Sequence, residues 1–228
     1  MARFFTSVFI AAAALCWTGS SVRAGAPAAS PQVESLGQGR FRLGVIEFDS
    51  TTRAIRFPCR VNLKEDVLEY VLVHAQGKTH ESLLTTEVSP LQLQMALKLL
   101  SYAQGKGDLL DAFLAPGEEA SPQPAGESVE ILIEWDNAPQ RPVNGVIRDR
   151  TAAGPLEPGP WICTGSEVID GKFQAEVEGS IIALYRDPFA MFNSPHPRTR
   201  DDENWFPIGK ELPEVDQPVI LTIRPSGN

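Results

Sequence analysis

Cysteine and histidine are scarce in this chain, with three of each in 228 residues. Three cysteines cannot supply the four thiolates of an iron–sulfur cluster, nor the dense disulfide framework of a small secreted scaffold. Basic charge is short as well: 20 Lys and Arg stand against 29 Asp and Glu, a formal net charge of −9. So acidic a chain has no electrostatic reason to bind a nucleic-acid backbone or an anionic membrane surface. After Trp17 no apolar run approaches the roughly 20 residues that span a bilayer. No Gly-x-Ser-x-Gly elbow, EF-hand spacing, internal repeat or heptad pattern is present.

What is present begins with an export signature. Arg3 precedes an apolar run from Phe4 to Trp17, and Val22-Arg23-Ala24 offers small or apolar residues three and one positions before a break. Residues 1–24 are therefore expected to be a signal peptide cleaved after Ala24, giving a periplasmic or secreted protein with no membrane insertion after cleavage. Cys16 does not read as a lipid attachment site, because Ala14-Leu15 is not the small pair that site uses. Cleavage removes Arg3 and Arg23 and no acid, so the formal charge falls from −9 to −11. Cys59 and Cys163 then remain. They form either a disulfide or two separate buried thiols, and the sequence leaves both open.

Residues 25–39, rich in Ala, Pro, Ser and Gly, read as a flexible lead-in, with a single domain over 40–225. Its signals are mostly strands. Phe41–Val45 and Ala54–Val61 suggest an antiparallel hairpin, with Pro58 marking an edge or a bulge. Val67–Val73 and Lys78–Thr85 suggest a second, turning at His74–Gly77. Ser89-Pro90 with Gln92 starts the one principal helix, to about residue 103, with Leu91, Met95, Leu99 and Tyr102 at helical spacing, broadened by Leu93, Leu97 and Leu100. Asp108–Leu114 suggests a further helical turn, and 115–127 is an acidic Pro/Gly loop. Ser128–Trp135, Val143–Arg148, Trp161–Ile169, Lys172–Leu184 and Pro218–Ile223 read as strands, with Asp170-Gly171 as a hairpin turn and Gly179 as a bulge. The expected fold class is α+β: an antiparallel, sheet-rich single domain with one principal helix packed on the sheet.

Several segments together resemble the YdjY-domain family of exported bacterial proteins. They are Arg56-Phe57-Pro58, Leu68-Glu69-Tyr70, Gly77-Lys78-Thr79-His80-Glu81-Ser82-Leu83-Leu84, Trp161, Thr164-Gly165-Ser166, Asp170-Gly171, Glu178-Gly179-Ser180-Ile181, Asp187-Pro188 and Trp205-Phe206-Pro207. The resemblance covers about residues 40–223 and implies an envelope module without an established reaction. Some such relatives are described as ferredoxin-like for their cysteine clusters. This chain departs from them, since only Cys59 and Cys163 remain after cleavage, and no cofactor is expected. The functional set the resemblance implies is Lys78, His80, Glu81 and Ser82.

His80-Glu81 does not complete a zinc-protease motif, because position 84 is Leu rather than a second His. With a turn at Gln76-Gly77, His74 would pair with Thr79 and share a face with Glu81, while His80 would point to the other. Trp161, Trp205, Phe206, Phe189 and Phe192 form either a ligand groove or ordinary core. The functional expectation is a non-catalytic module that binds an envelope protein or a small ligand. One alternative is a metal-binding protein or enzyme centred on His80 and Glu81. Another is an accessory to a periplasmic redox system without its own cluster.

Overall fold

The computed structural model describes residues 32–105, 125–136, 138–151, 154–196 and 198–227. The expected signal peptide, the Asp108–Leu114 turn and residues 115–124 of the acidic loop lie outside these. Strands β1 (Val33–Gly37), β2 (Arg40–Leu43), β3 (Ile46–Asp49) and β4 (Ile55–Val61) form an antiparallel meander. β1 lies inside the stretch read as a flexible lead-in. The first expected strand is also two strands, because Gly44 takes φ +61° and turns the chain, leaving Val45 exposed. Then come β5 (Tyr70–His74), β6 (Ser82–Thr86), α1 (Pro90–Leu99), β7 (Glu127–Trp135), β8 (Ala138–Pro142), β9 (Ile147–Asp149) and β10 (Trp161–Cys163). The remainder is β11 (Val168–Ile169), β12 (Lys172–Phe173), α2 (Gln174–Glu178), β13 (Ser180–Ala183), β14 (Phe192–Asn193), β15 (Trp205–Pro207) and β16 (Pro218–Pro225).

Eight of these strands close a barrel in the order β4-β16-β7-β10-β14-β13-β5-β6, with β6 pairing back onto β4. The protein is strand-rich with one main helix, as expected, but the expected antiparallel sheet is a closed barrel that includes two parallel pairs. Inward residues alternate along β4, where Ile55, Phe57, Cys59 and Val61 are buried and Arg56, Pro58 and Arg60 are exposed. Pro58 lies where β4 passes from one neighbour to the next. On one edge of β4, β3 pairs with Ile55 and Arg56 and β6 with Arg60 and Val61, so Pro58 sits in the gap between them. Proline has no N–H to donate there, and its carbonyl accepts from Thr86 Oγ1 at 2.7 Å.

The expected antiparallel hairpin at His74–Gly77 is overturned. β5 and β6 are parallel, with Tyr70 opposite Ser82 and His74 opposite Thr86. The chain doubles back through residues 75–81, ending in a 3-10 turn at Thr79–Glu81. That is shorter than the dozen residues a parallel crossover usually takes, and hydrophobic periodicity gives no sign of it. β13 and β14 are also parallel, joined by residues 184–191.

Ser89 caps α1 as expected, its Oγ accepting from Gln92 N at 3.4 Å with Pro90 at the first turn. Glu176 of α2 adds a second cap, accepting from Leu91 N and Ser89 Oγ at 2.8 Å each. The helix stops at Leu99 because Ser101 turns left-handed at φ +57°. It buries Leu93, Ala96 and Leu97, while Leu91, Met95 and Leu99 face outward. The stretch 174–178, expected as strand, is α2, and Gly179 is its left-handed cap rather than a bulge. Cys59 and Cys163 are free, buried thiols. Cys59 faces Val219 on β16 and Cys163 faces Glu127 on β7. The β16–β7 register sets those levels about eight residues apart, roughly 25 Å of strand. The disulfide reading falls on that separation.

Candidate functional site

The four residues singled out by the sequence do not converge. Ser82 is fully buried in β6 and donates to Leu84 O at 2.8 Å, a structural bond. His80 leaves the 3-10 turn into solvent, its side chain 79% exposed and Nε2 3.6 Å from Glu81 Oε2. Glu81 instead faces Glu69. Burial, then the Glu81 charge, raises the Glu69 carboxyl above its ordinary value, with Lys78 pulling the other way. Lys78 turns inward, its Nζ donating to Tyr70 Oη at 2.9 Å. Tyr70 Oη in turn donates to Asp187 Oδ2 at 2.9 Å. Lys78 lies on the first short crossover and Asp187 on the second, so this line of bonds ties the two together. Burial pushes the Tyr70 hydroxyl far above its ordinary range, which keeps it a neutral donor. Among the described residues, no three His, Cys, Asp or Glu side chains converge to hold a metal ion.

The third histidine sits in a more open place. Trp161 on β10 is fully buried, and its Nε1 donates to Asn144 Oδ1 at 3.1 Å. Asn144, on the 3-10 turn Val143–Val146, donates from Nδ2 to Glu157 O at 2.9 Å. One amide therefore fixes the proline-rich loop 155–160 over the indole. His196 closes the other side, packed edge-on against Trp205 with ring centroids 5.3 Å apart. Together Asn144, Leu156, Pro158, Pro160, Trp161, Pro195 and His196 line a pocket of about 210 Å³. Burial lowers the His196 imidazole below its ordinary value, opposed in part by Glu157, so at neutral pH it presents one donor and one acceptor. Of the aromatics expected to form groove or core, Trp161, Trp205 and Phe192 are core, and of these three Trp161 lines the pocket. Asn144 and Glu157 gave no sequence signal, because only the fold brings positions 144, 157, 161 and 196 together.

A family model of the YdjY domain matches residues 46–224. The chain belongs to the YdjY-domain family. Comparison of this YdjY domain with the curated proteins and with the solved structures returned no match in either. The matched span runs from β3 through β16 and so takes in the whole barrel, the two crossovers and the Trp161–His196 pocket. No helix among its described residues is long and apolar enough to cross a membrane. Its two thiols are poor nucleophiles: burial pushes Cys163 up to about 12 and Cys59 higher still.

Proposed function

We propose that this YdjY-domain protein is an exported cell-envelope module that binds a partner or small ligand and performs no chemistry on it. The pocket between Trp161 and His196 carries this reading. At about 210 Å³ it is smaller than the roughly 300–1,000 Å³ typical of cofactor-sized sites. It suits a single ring or side chain with one hydrogen-bonding atom, set against proline and indole surface. The two thiols that would serve as nucleophiles are buried with raised pKa values, and the Tyr70 hydroxyl is held between fixed partners.

The test is a titration of the purified protein with indole and p-cresol, followed by NMR of the tryptophan indole and histidine ring signals. Saturable shifts confined to Trp161 and His196 are expected, and they should vanish in Gly159→Trp. Gly159 lines the pocket, and a Cβ there would meet nothing within 4 Å, so an indole can be attached at that point without overlap at the backbone and occupy the pocket. Absence of binding, or stoichiometric zinc or iron that is lost in His80→Ala, overturns the proposal.

A further inference from the structure

On the far side of the loop that roofs the Trp161 pocket lies a second concavity, of about 590 Å³. Arg141, Arg148 and Lys210 point charge at it, and one acid, Glu211, shares its wall. Glu211 is occupied by Arg141, whose Nη1 donates to its carboxylate at 3.2 Å and whose Nη2 donates to its carbonyl. Two positive charges, Arg148 and Lys210, are left with no carboxylate partner among the described residues. Elsewhere Arg42, Arg53, Arg56, Arg150, Arg198 and Arg224 each sit on a carboxylate. A chain with net charge −9 that gathers unneutralised cations in one cleft has the local field of an anion site.

The two guanidinium groups are also held rigid. Arg148 lies opposite Phe206 in the β9–β15 ladder, which lays its guanidinium over that ring at 4.8 Å. Arg141 lies over Trp135 at 4.7 Å, and its Nε is buried without a partner. Stacking on an aromatic face fixes the plane of an arginine. Arg141 spends both terminal nitrogens on Glu211, so it is Arg148 whose N–H edge can meet two oxygens at once. Gly145, at the edge of the cleft, adds no side-chain bulk.

We propose that this cleft binds a tetrahedral oxyanion, phosphate or sulfate, alone or as the charged end of a small ester. The residual charge of two matches a dianion, and the Lys210 ammonium supplies a third contact as a movable point charge. This site is independent of the Trp161 pocket and stands or falls by itself.

Isothermal titration of the protein at low ionic strength with inorganic phosphate, sulfate, methyl phosphate and acetate tests it. One phosphate or sulfate per chain is expected, with acetate bound more weakly, and a tighter methyl phosphate would mark an esterified ligand over the free ion. Arg148→Gln and Lys210→Gln should each weaken binding about tenfold or more, as loss of a charge-assisted hydrogen bond does. Lys210 is exposed and supports no other contact, so its variant cannot be dismissed as misfolded. Lys172→Gln, on the exposed β11–β12 hairpin, should bind as the parent does. Absence of saturable binding, equal affinity for acetate, or retention of binding in the Arg148/Lys210 double variant overturns the proposal.

Discussion

Tyr70 Oη donates to Asp187 Oδ2 across 2.9 Å and accepts from Lys78 Nζ, so this hydroxyl links the two short segments that reverse the chain within a parallel strand pair. The Asp187 side chain also accepts from Phe189 N at 2.8 Å, so it holds its own crossover in shape while gripping β5. Removing the hydroxyl leaves a buried carboxylate short of a donor and the Lys78 ammonium without its acceptor. Tyr70→Phe should therefore cost about 1–3 kcal/mol. Urea unfolding would measure it, and a variant as stable as the parent would mean the bond is replaced by solvent.

Gly77 and Gly179 bring the same region together from the backbone side. A Cβ on Gly179 would lie 2.8 Å from Gly77 Cα, and one on Gly77 would lie 2.9 Å from Glu178 O. Gly179 also holds φ +74°, where an L side chain costs roughly 1–2 kcal/mol. Gly179→Ala should thus destabilise by more than that conformational cost alone, and Gly77→Ala should destabilise by steric overlap without the φ contribution. Thermal melts of both variants check the ranking. A melting temperature within a degree of the parent for Gly77→Ala would show that the two loops can separate freely.

Much of the fold was legible where local chemistry decides it. Ser89-Pro90 announced α1, alternation announced β4 and β7, and Pro58 marked the place where a ladder is interrupted. Closure into a barrel was not legible, since it depends on β6 returning to β4, which no local pattern encodes. Residues 75–81 read as a hairpin because Gly77 resembles a turn glycine, yet its smallness serves packing on Gly179. The site was half legible. Tyr70, Trp161 and Asp187 lie among the segments carrying the family resemblance, but the adjacent His80-Glu81 pair is the more conspicuous pattern, and the His80 side chain is exposed. Asn144, Arg148 and Glu157 act through partners 13 or more positions away in sequence, and pairings of that range are invisible to periodicity.

The thiols make a simple chemical prediction. Cys59 and Cys163 are buried on separate strands, and burial raises both pKa values. In protein produced without residues 1–24, and so without Cys16, iodoacetamide at pH 8 should leave the native form unmodified and add two labels only after denaturation, reductant having no effect on the melting temperature. Protection that is lost on adding dithiothreitol would instead indicate a bridge.

Glu69 sets a pH dependence whose sign follows from its raised carboxyl. A carboxyl that prefers its proton in the fold contributes stability below the unfolded value of 4.5, and that contribution is lost as pH rises through the folded value. At pH 7 the Glu69 charge is therefore a liability, next to Glu81 and partly withdrawn from water. Glu69→Gln should melt higher than the parent at pH 7, and the two should converge near pH 4. A variant less stable than the parent at neutral pH would mean that attraction to Lys78 outweighs both burial and the Glu81 charge.

His196 gives the opposite sign at the Trp161 pocket. Burial lowers its pKa below 6.5 with Glu157 opposing, so the fold prefers the neutral ring. Its contribution is complete above 6.5 and is lost as pH falls through the folded value. Urea midpoints of the parent should thus drop between pH 7 and pH 5 more steeply than those of His196→Gln, which cannot titrate. The same protonation places a cation against indole and proline surface that offers it no carboxylate closer than Glu157, so occupancy of the pocket by indole should fall over the same interval. Parallel stability profiles for the two proteins would place His196 in solvent, with its ring free of Trp205.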